Sequence, residues 1–135
     1  MKLILLILSI GILSNISFSQ KNIEINGVKI SSQQVSCNIP SEGFEAEMVL
    51  LTIENTSDSV KTVRFSYELY YNGICSTCDS SNTEHSFIQV LNAHESVTGE
   101  CLNRVNDGLS FLHHLPSHLS EARLSSFELT NISVK

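Results

Sequence analysis

The stretch "VKTVRFSYELYYN", Val60–Asn72, decides how this chain folds. Val63, Phe65, Tyr67, Leu69 and Tyr71 alternate with Arg64, Ser66, Glu68 and Tyr70. A period of two, with aromatic and β-branched residues in one phase, is the pattern of a strand that buries one face. Just before it stands "EMVLLTIENTSDS", Glu47–Ser59. Val49, Leu51 and Ile53 share one phase, and Met48 and Leu50 the other. Asn55, Ser57, Asp58 and Ser59 form a polar turn cluster. The two segments read as an antiparallel hairpin closed at "NTSDS".

Outward from this pair the signals are again strands. "NIEINGVKISSQQVS", Asn22–Ser36, predicts one strand or two, with Asn26-Gly27 as a tight turn or bulge. "HSFIQVL" (His85–Leu91) is short and apolar, and "ESVTGECL" (Glu95–Leu102) follows the turn "NAHE". "LSFLHHL" (Leu109–Leu115) fits a strand or the start of a helix. In "ARLSSFELTNISV", Phe127 and Leu129 share one phase and Ile132 and Val134 the other, which predicts a bulge near Thr130 or Asn131. "PSHLSEARL" offers a helical turn, with Ser117 as its cap. About seven short strands separated by turn signals, with little helix, predict an all-β fold, an antiparallel β-sandwich.

"VLLTIENTSDSVKTVRFSYELYY", Val49–Tyr71, resembles the strand-turn-strand core of bacterial immunoglobulin-like domains, in which an apolar strand ends in Asn-Thr and a polar turn. The whole chain after its leader also resembles small secreted bacterial proteins of unknown function with a central "YYNG.C..C" and a final "FEL.NI.V". The resemblance implies an immunoglobulin-like β-sandwich and carries no activity with it. The chain has no Trp, so the Cys-Trp-Cys hallmark of antibody domains is missing.

The chain opens "MKLILLILSIGILSNISFSQ". One Lys, an apolar run from Leu3 to Leu13 and the small-x-small triplet Ser17-Phe18-Ser19 have the layout of a secretory signal peptide. The run falls short of the roughly 20 residues that cross a bilayer. We therefore expect a signal peptide over residues 1–19 and one domain over 20–135, exported to the periplasm or the extracellular space, with no membrane insertion after cleavage. Lys2 aside, seven Lys and Arg face fourteen Asp and Glu. That balance excludes the basic patch that nucleic acid requires.

The four cysteines admit three chemistries. A redox pair at Cys75 and Cys78 has the C-x-x-C spacing, but "CSTCDSSNTEH" lacks the helical pattern that lowers a thiol pKa in such motifs. A four-thiolate zinc site would join them to Cys37 and Cys101, although only half of the spacing fits. A small exported chain with an even number of cysteines favours two disulfides. Of the three pairings, Cys75–Cys78 with Cys37–Cys101 is favoured; Cys37–Cys75 with Cys78–Cys101, and Cys37–Cys78 with Cys75–Cys101, stay open. If the strands simply alternate up and down, all four cysteines share one end of the sandwich, and His94 joins His113, His114 and His118 at the other.

Several histidines could hold a transition metal. Against this, adjacent His113 and His114 point to opposite faces of a regular strand. Glu45 and Glu47 share a strand face and read as a solvated edge. No G-x-S-x-G elbow or paired carboxylates assemble a catalytic site, so no catalytic residue, no metal and no cofactor are expected. Tyr67 and Tyr71 lie in the apolar phase and read as core. Tyr70 lies in the polar phase next to a rigid loop; a cross-strand packing partner is the favoured reading, and an anchor of a binding surface the alternative. The sequons at Asn55 and Asn131 read as chance behind a bacterial leader.

The expected function is that of a non-enzymatic binding or structural module. Its candidate binding loop is "NGICSTCDSSNTEH", with Tyr70, Asn72, Ser76, Thr77, Asp79 and Asn82 facing an unknown protein or surface glycan, helped by the Asn103–Gly108 loop. A metal-binding protein using the cysteine cluster or the histidines, and an inhibitor of an exported enzyme, are the alternatives.

Overall fold

The computed structural model describes residues 21–78, 85–102 and 108–135. Residues 1–20, which include the expected signal peptide, together with residues 79–84 (Asp79 and Asn82 among them) and 103–107, lie outside the described residues. The described chain forms nine strands: β1 (Asn22–Ile25), β2 (Val28–Ile39), β3 (Phe44–Asn55), β4 (Lys61–Tyr71), β5 (Ile74–Cys75), β6 (Ser86–Leu91), β7 (Ser96–Thr98), β8 (Ser110–His114) and β9 (Leu124–Val134). Pro40–Glu42 form a 3-10 turn. "PSHLSEARL" makes a single turn, in which the Leu119 amide donates to the Pro116 carbonyl at 2.8 Å.

Two antiparallel sheets result, in a sandwich-like arrangement. One holds β1, β2 and β3, with β7 and β8 following one another along the free edge of β3. In the other, β9 lines one edge of β4 while β6 and β5 share its opposite edge. Counting each interrupted edge as one strand gives the seven expected.

The alternation in Val60–Asn72 places its residues as read. Val63 and Phe65 are fully buried, and Tyr67 packs on Phe111 of the other sheet with ring centroids 4.6 Å apart. Phe65 stacks on Phe87 at 5.0 Å, and Phe111 meets Phe127 at 5.5 Å. Burying such an aromatic side chain contributes about 1.5–3 kcal/mol.

The hairpin expected between β3 and β4 does not form. The edges of β3 are taken by β2 on one side and by β7 and β8 on the other, so the chain crosses to the second sheet instead. Asn55 organises the crossing. Its side chain is wholly buried, its Nδ2 donates to the carbonyls of Ser59 (2.7 Å), Leu91 (3.3 Å) and Asn92 (2.9 Å), and its Oδ1 accepts from the Ser57 amide (3.0 Å) and hydroxyl (2.7 Å).

Asn26-Gly27 is a two-residue turn between paired Ile25 and Val28, with φ of 48° and 79°. Both values lie in the region favoured by Asn and Gly, and two positive φ angles match the right-handed twist of the strands. The bulge expected in the last strand is present. Arg64 and Ser66 face Ser133 and Thr130, leaving an extra residue at Asn131–Ile132, with Asn131 at φ 52°.

Met48 and Leu50, in the second phase of β3, belong to a smaller apolar cluster on the outer side of the first sheet. Cys37, Ala46 and Met48 are buried there, packed by Val35, Phe44, Leu50, Cys101, Leu112 and Leu115. Along residues 48–51 the first sheet thus buries apolar side chains on both faces, which explains why this part of β3 is apolar in both phases.

Lys21 ties the start of the described chain to both sheets. Its amide donates to Ser32 Oγ at 2.9 Å, and its Nζ donates to the Phe127 carbonyl and pairs with Glu128 at 2.8 Å.

Candidate functional site

The favoured cysteine pairing is the one the structure holds. Cys37–Cys101 spans 64 residues and Cys75–Cys78 spans 3, each with Cα atoms 5.7 Å apart. Both bridges lie toward the Phe44 end of β3, where the Tyr71 hydroxyl reaches the Leu112 carbonyl, but as two separate pairs on different sheets. The long bridge pins the chain after β7 onto the outer cluster of the first sheet, and the short one clips the edge of the second. Paired this way, none is a thiolate ligand, so the zinc knuckle is not formed.

The clip is built from β4 outward. Tyr71 pairs with Ile74 across Asn72-Gly73, another two-residue turn with positive φ at both positions (50° and 79°). Asn72 is held in place: its amide donates to the Arg123 carbonyl (2.9 Å) and its Oδ1 accepts from the Arg123 amide (3.1 Å). Ser125, the extra residue of a second bulge in β9, accepts from the Gly73 amide and donates to the Tyr70 carbonyl, both at 2.9 Å.

Beyond β5 the chain folds back along β4 without forming a strand. The Ser76 amide donates to the Leu69 carbonyl at 2.8 Å, and its hydroxyl approaches the same oxygen at 3.2 Å. Thr77 is 8% exposed; its Oγ1 accepts from the Leu69 amide (3.0 Å) and donates to the Tyr67 carbonyl (3.2 Å). These contacts complete the edge of β4 between its pairings with β6 and β5. Thr77 is therefore turned into the fold, a correction to its expected place on a binding surface. A polar residue in a turn-like stretch reads as exposed unless its backbone partners are known.

Tyr70 stands on the outer face of the sheet. Its hydroxyl donates to Glu68 Oε2 at 2.9 Å and lies 3.6 Å from Cys78 Sγ. The Glu68 hydrogen bond is the largest cause that raises its pKa, so the phenol stays protonated. Ile74 was missed in the sequence: at 74% exposure it is the most exposed of the large apolar side chains described. The signal was available, since Ile74 lies between a turn glycine and an edge cysteine, where no core can cover it.

The histidines correct two expectations. Glu47 faces His114 while Met48 faces Leu112, so His113 is an extra residue in β8. The bulge cancels strict alternation, and the rings of His113 and His114 meet with Nδ1 atoms 2.9 Å apart. Nor does His94 join them. It lies in the β6–β7 turn at φ 61° and pairs with Asp58 at 2.7 Å, beside the Asn55 end of β3, while His113 and His114 lie near its Phe44 end. The strands do not simply alternate, because β7 and β8 run along β3 in the same direction. Among the described residues no three His, Cys, Asp or Glu side chains come close enough to hold a metal ion, and no helix is long and apolar enough to cross a membrane.

Fold and site together define an all-β, sandwich-like protein with two disulfides and a clipped edge hairpin. Set against protein-family models, curated proteins and solved structures, the chain matches none of them.

Proposed function

We propose that this protein is an exported, non-enzymatic binding module of the immunoglobulin-like kind, cleaved from its leader near Ser19, and that the clipped hairpin is its recognition element. The single observation behind this reading is a hairpin fixed by a turn, a disulfide and four hydrogen bonds, with Ile74 projecting from its tip. An ordered loop loses little conformational entropy on binding, and an exposed apolar side chain on a rigid support is what a partner's pocket takes. Two disulfides suit an oxidising compartment, which supports export. Ile74, Tyr70 and Ser76 would touch a protein or surface glycan, while Asn72 and Thr77 hold the loop's shape.

The test is a comparison of wild type with Ile74→Asp, immobilised and exposed to culture medium, periplasmic extract and a glycan array. A ligand kept by wild type, lost by Ile74→Asp and released with unchanged melting temperature supports the reading. A ligand that binds both forms equally sinks it.

A further inference from the structure

The two disulfides differ in exposure and in the length of chain they close. Cys37 is 1% exposed among Ala46, Met48 and their apolar neighbours, so attack on the long bridge is confined to its half-buried end, Cys101. Cys78 is exposed, on a sheet edge, and its partner Cys75 lies only three residues away. We infer that Cys75–Cys78 is a reducible switch, opened by a dithiol reductant while Cys37–Cys101 stays closed, and that opening it releases Ser76 and Thr77 from the edge of β4.

The exchange balances as follows. A thiolate of the dithiol attacks Cys78 Sγ, a mixed disulfide forms, and the Cys75–Cys78 bond breaks with its electron pair on Cys75, which takes up a proton. The second thiol of the reductant then attacks its own sulfur in the mixed disulfide. Cys78 leaves and is protonated, and the reductant ends as a disulfide. Two electrons and two protons pass to the clip.

Three further observations support a switch over a plain staple. First, the structure offers the reduced state a partner. In the disulfide Cys78 Sγ has no proton to give, whereas as a thiol it can donate to the Tyr70 oxygen 3.6 Å away, which itself donates to Glu68. Second, the clip restrains something specific: Ser76 and Thr77 stand in for a strand along Tyr67–Leu69. Third, a loop closed over three residues restrains the unfolded chain far less than one closed over 64, so the domain survives loss of the clip. The chain is the object of exchange here, not its catalyst, since the described residues after Cys75 turn back along β4 and do not start a helix that would activate it. If the clipped hairpin is the recognition element, this switch regulates it; only that link rests on the functional reading.

The test treats the native full-length mature protein with graded dithiothreitol, alkylates the freed thiols and maps them by peptide mass, with amide exchange followed in parallel. The expected result is complete labelling of Cys75 and Cys78 while Cys37 and Cys101 stay closed. The Leu69 and Ser76 amides should then exchange about tenfold faster, with Val63 and Phe65 unchanged. Cys75→Ser/Cys78→Ser should reproduce that exchange pattern without reductant. Tyr70→Phe should need about twofold more reductant, because the thiol loses its acceptor. Joint opening of both disulfides, a clip that resists until the domain unfolds, or a reduced clip with Leu69 and Ser76 still protected would each overturn the inference. None of these readouts needs a ligand, so a failed binding proposal leaves this one standing or falling by itself.

Discussion

His113 and His114 face each other nitrogen to nitrogen, with their Nδ1 atoms 2.9 Å apart and their ring centroids 5.1 Å apart. The centroid spacing exceeds the nitrogen spacing by two ring radii, so the rings meet head-on in an N–H···N hydrogen bond. One imidazole must donate and the other accept. Burial, followed by His114 and Arg123, holds His113 below its ordinary value of 6.5, against a smaller opposing pull from Glu47. Between 6.5 and its lower folded value, the unfolded chain binds a proton that the folded chain refuses. The stabilising contribution is present above 6.5, falls as the pH drops through that window, and is gone below the folded value. Melting temperature measured from pH 7.5 down to about 4.5 should decline more steeply for wild type than for His113→Gln. Parallel curves would show that the pair does not couple folding to pH.

Asn55 should be among the most sensitive positions in the chain. Asn55→Ala strands the Leu91 and Asn92 carbonyls and the Ser57 amide, and we expect a loss of about 3 kcal/mol in urea unfolding. Asn55→Asp should cost more at neutral pH, because it buries a charge against carbonyl oxygens. The same engagement of Nδ2 leaves the sequon at Asn55 unusable in the folded protein.

Thr77 offers a narrower test of the clip. Thr77→Val keeps the shape but removes the hydroxyl that bridges the Leu69 amide and the Tyr67 carbonyl. Urea unfolding should show a loss of about 2 kcal/mol, whereas Thr77→Ser should stay within about 1 kcal/mol of wild type.

Gly99 lies where the chain leaves the edge of β3. Its amide donates to the Leu51 carbonyl at 2.9 Å, and the Leu51 amide donates to the Leu109 carbonyl at 2.8 Å. A Cβ at Gly99 would fall inside the Leu109 carbonyl oxygen and the Ser110 side chain. Gly99→Ala should cost about 3 kcal/mol or more by denaturant melting, since backbone has to move. Gly43→Ala, with open space around its Cβ and a φ of 62°, should cost about 1 kcal/mol.

Removing the long disulfide should matter more than removing the clip. Loop-closure entropy gives ~4 kcal/mol for a closure over 64 residues and ~2 kcal/mol for one over three. Cys37→Ala/Cys101→Ala should therefore shift the urea midpoint about twice as far as Cys75→Ala/Cys78→Ala.

The sequence by itself determined most of the strands, the tight turn at Asn26-Gly27 and the last bulge, because each rests on local rules: side-chain alternation, positive φ at Asn-Gly, and a change of phase between Leu129 and Ile132. It also favoured the correct disulfides, since a three-residue separation suits a local clip. Tertiary structure alone decided which strands share a sheet. Nothing near Asn55–Ser59 records that β7 and β8 occupy the edge β4 would have needed, because that edge is filled by Ser96–Thr98 and Ser110–His114. The same is true of the site. Thr77 in a turn-like sequence is a surface residue until β4 lies beside it, and His113 and His114 diverge until a bulge turns their rings together. Alternation is a property of the backbone and can be read along the chain; hydrogen-bond partners distant in sequence are set only when the sheets pack.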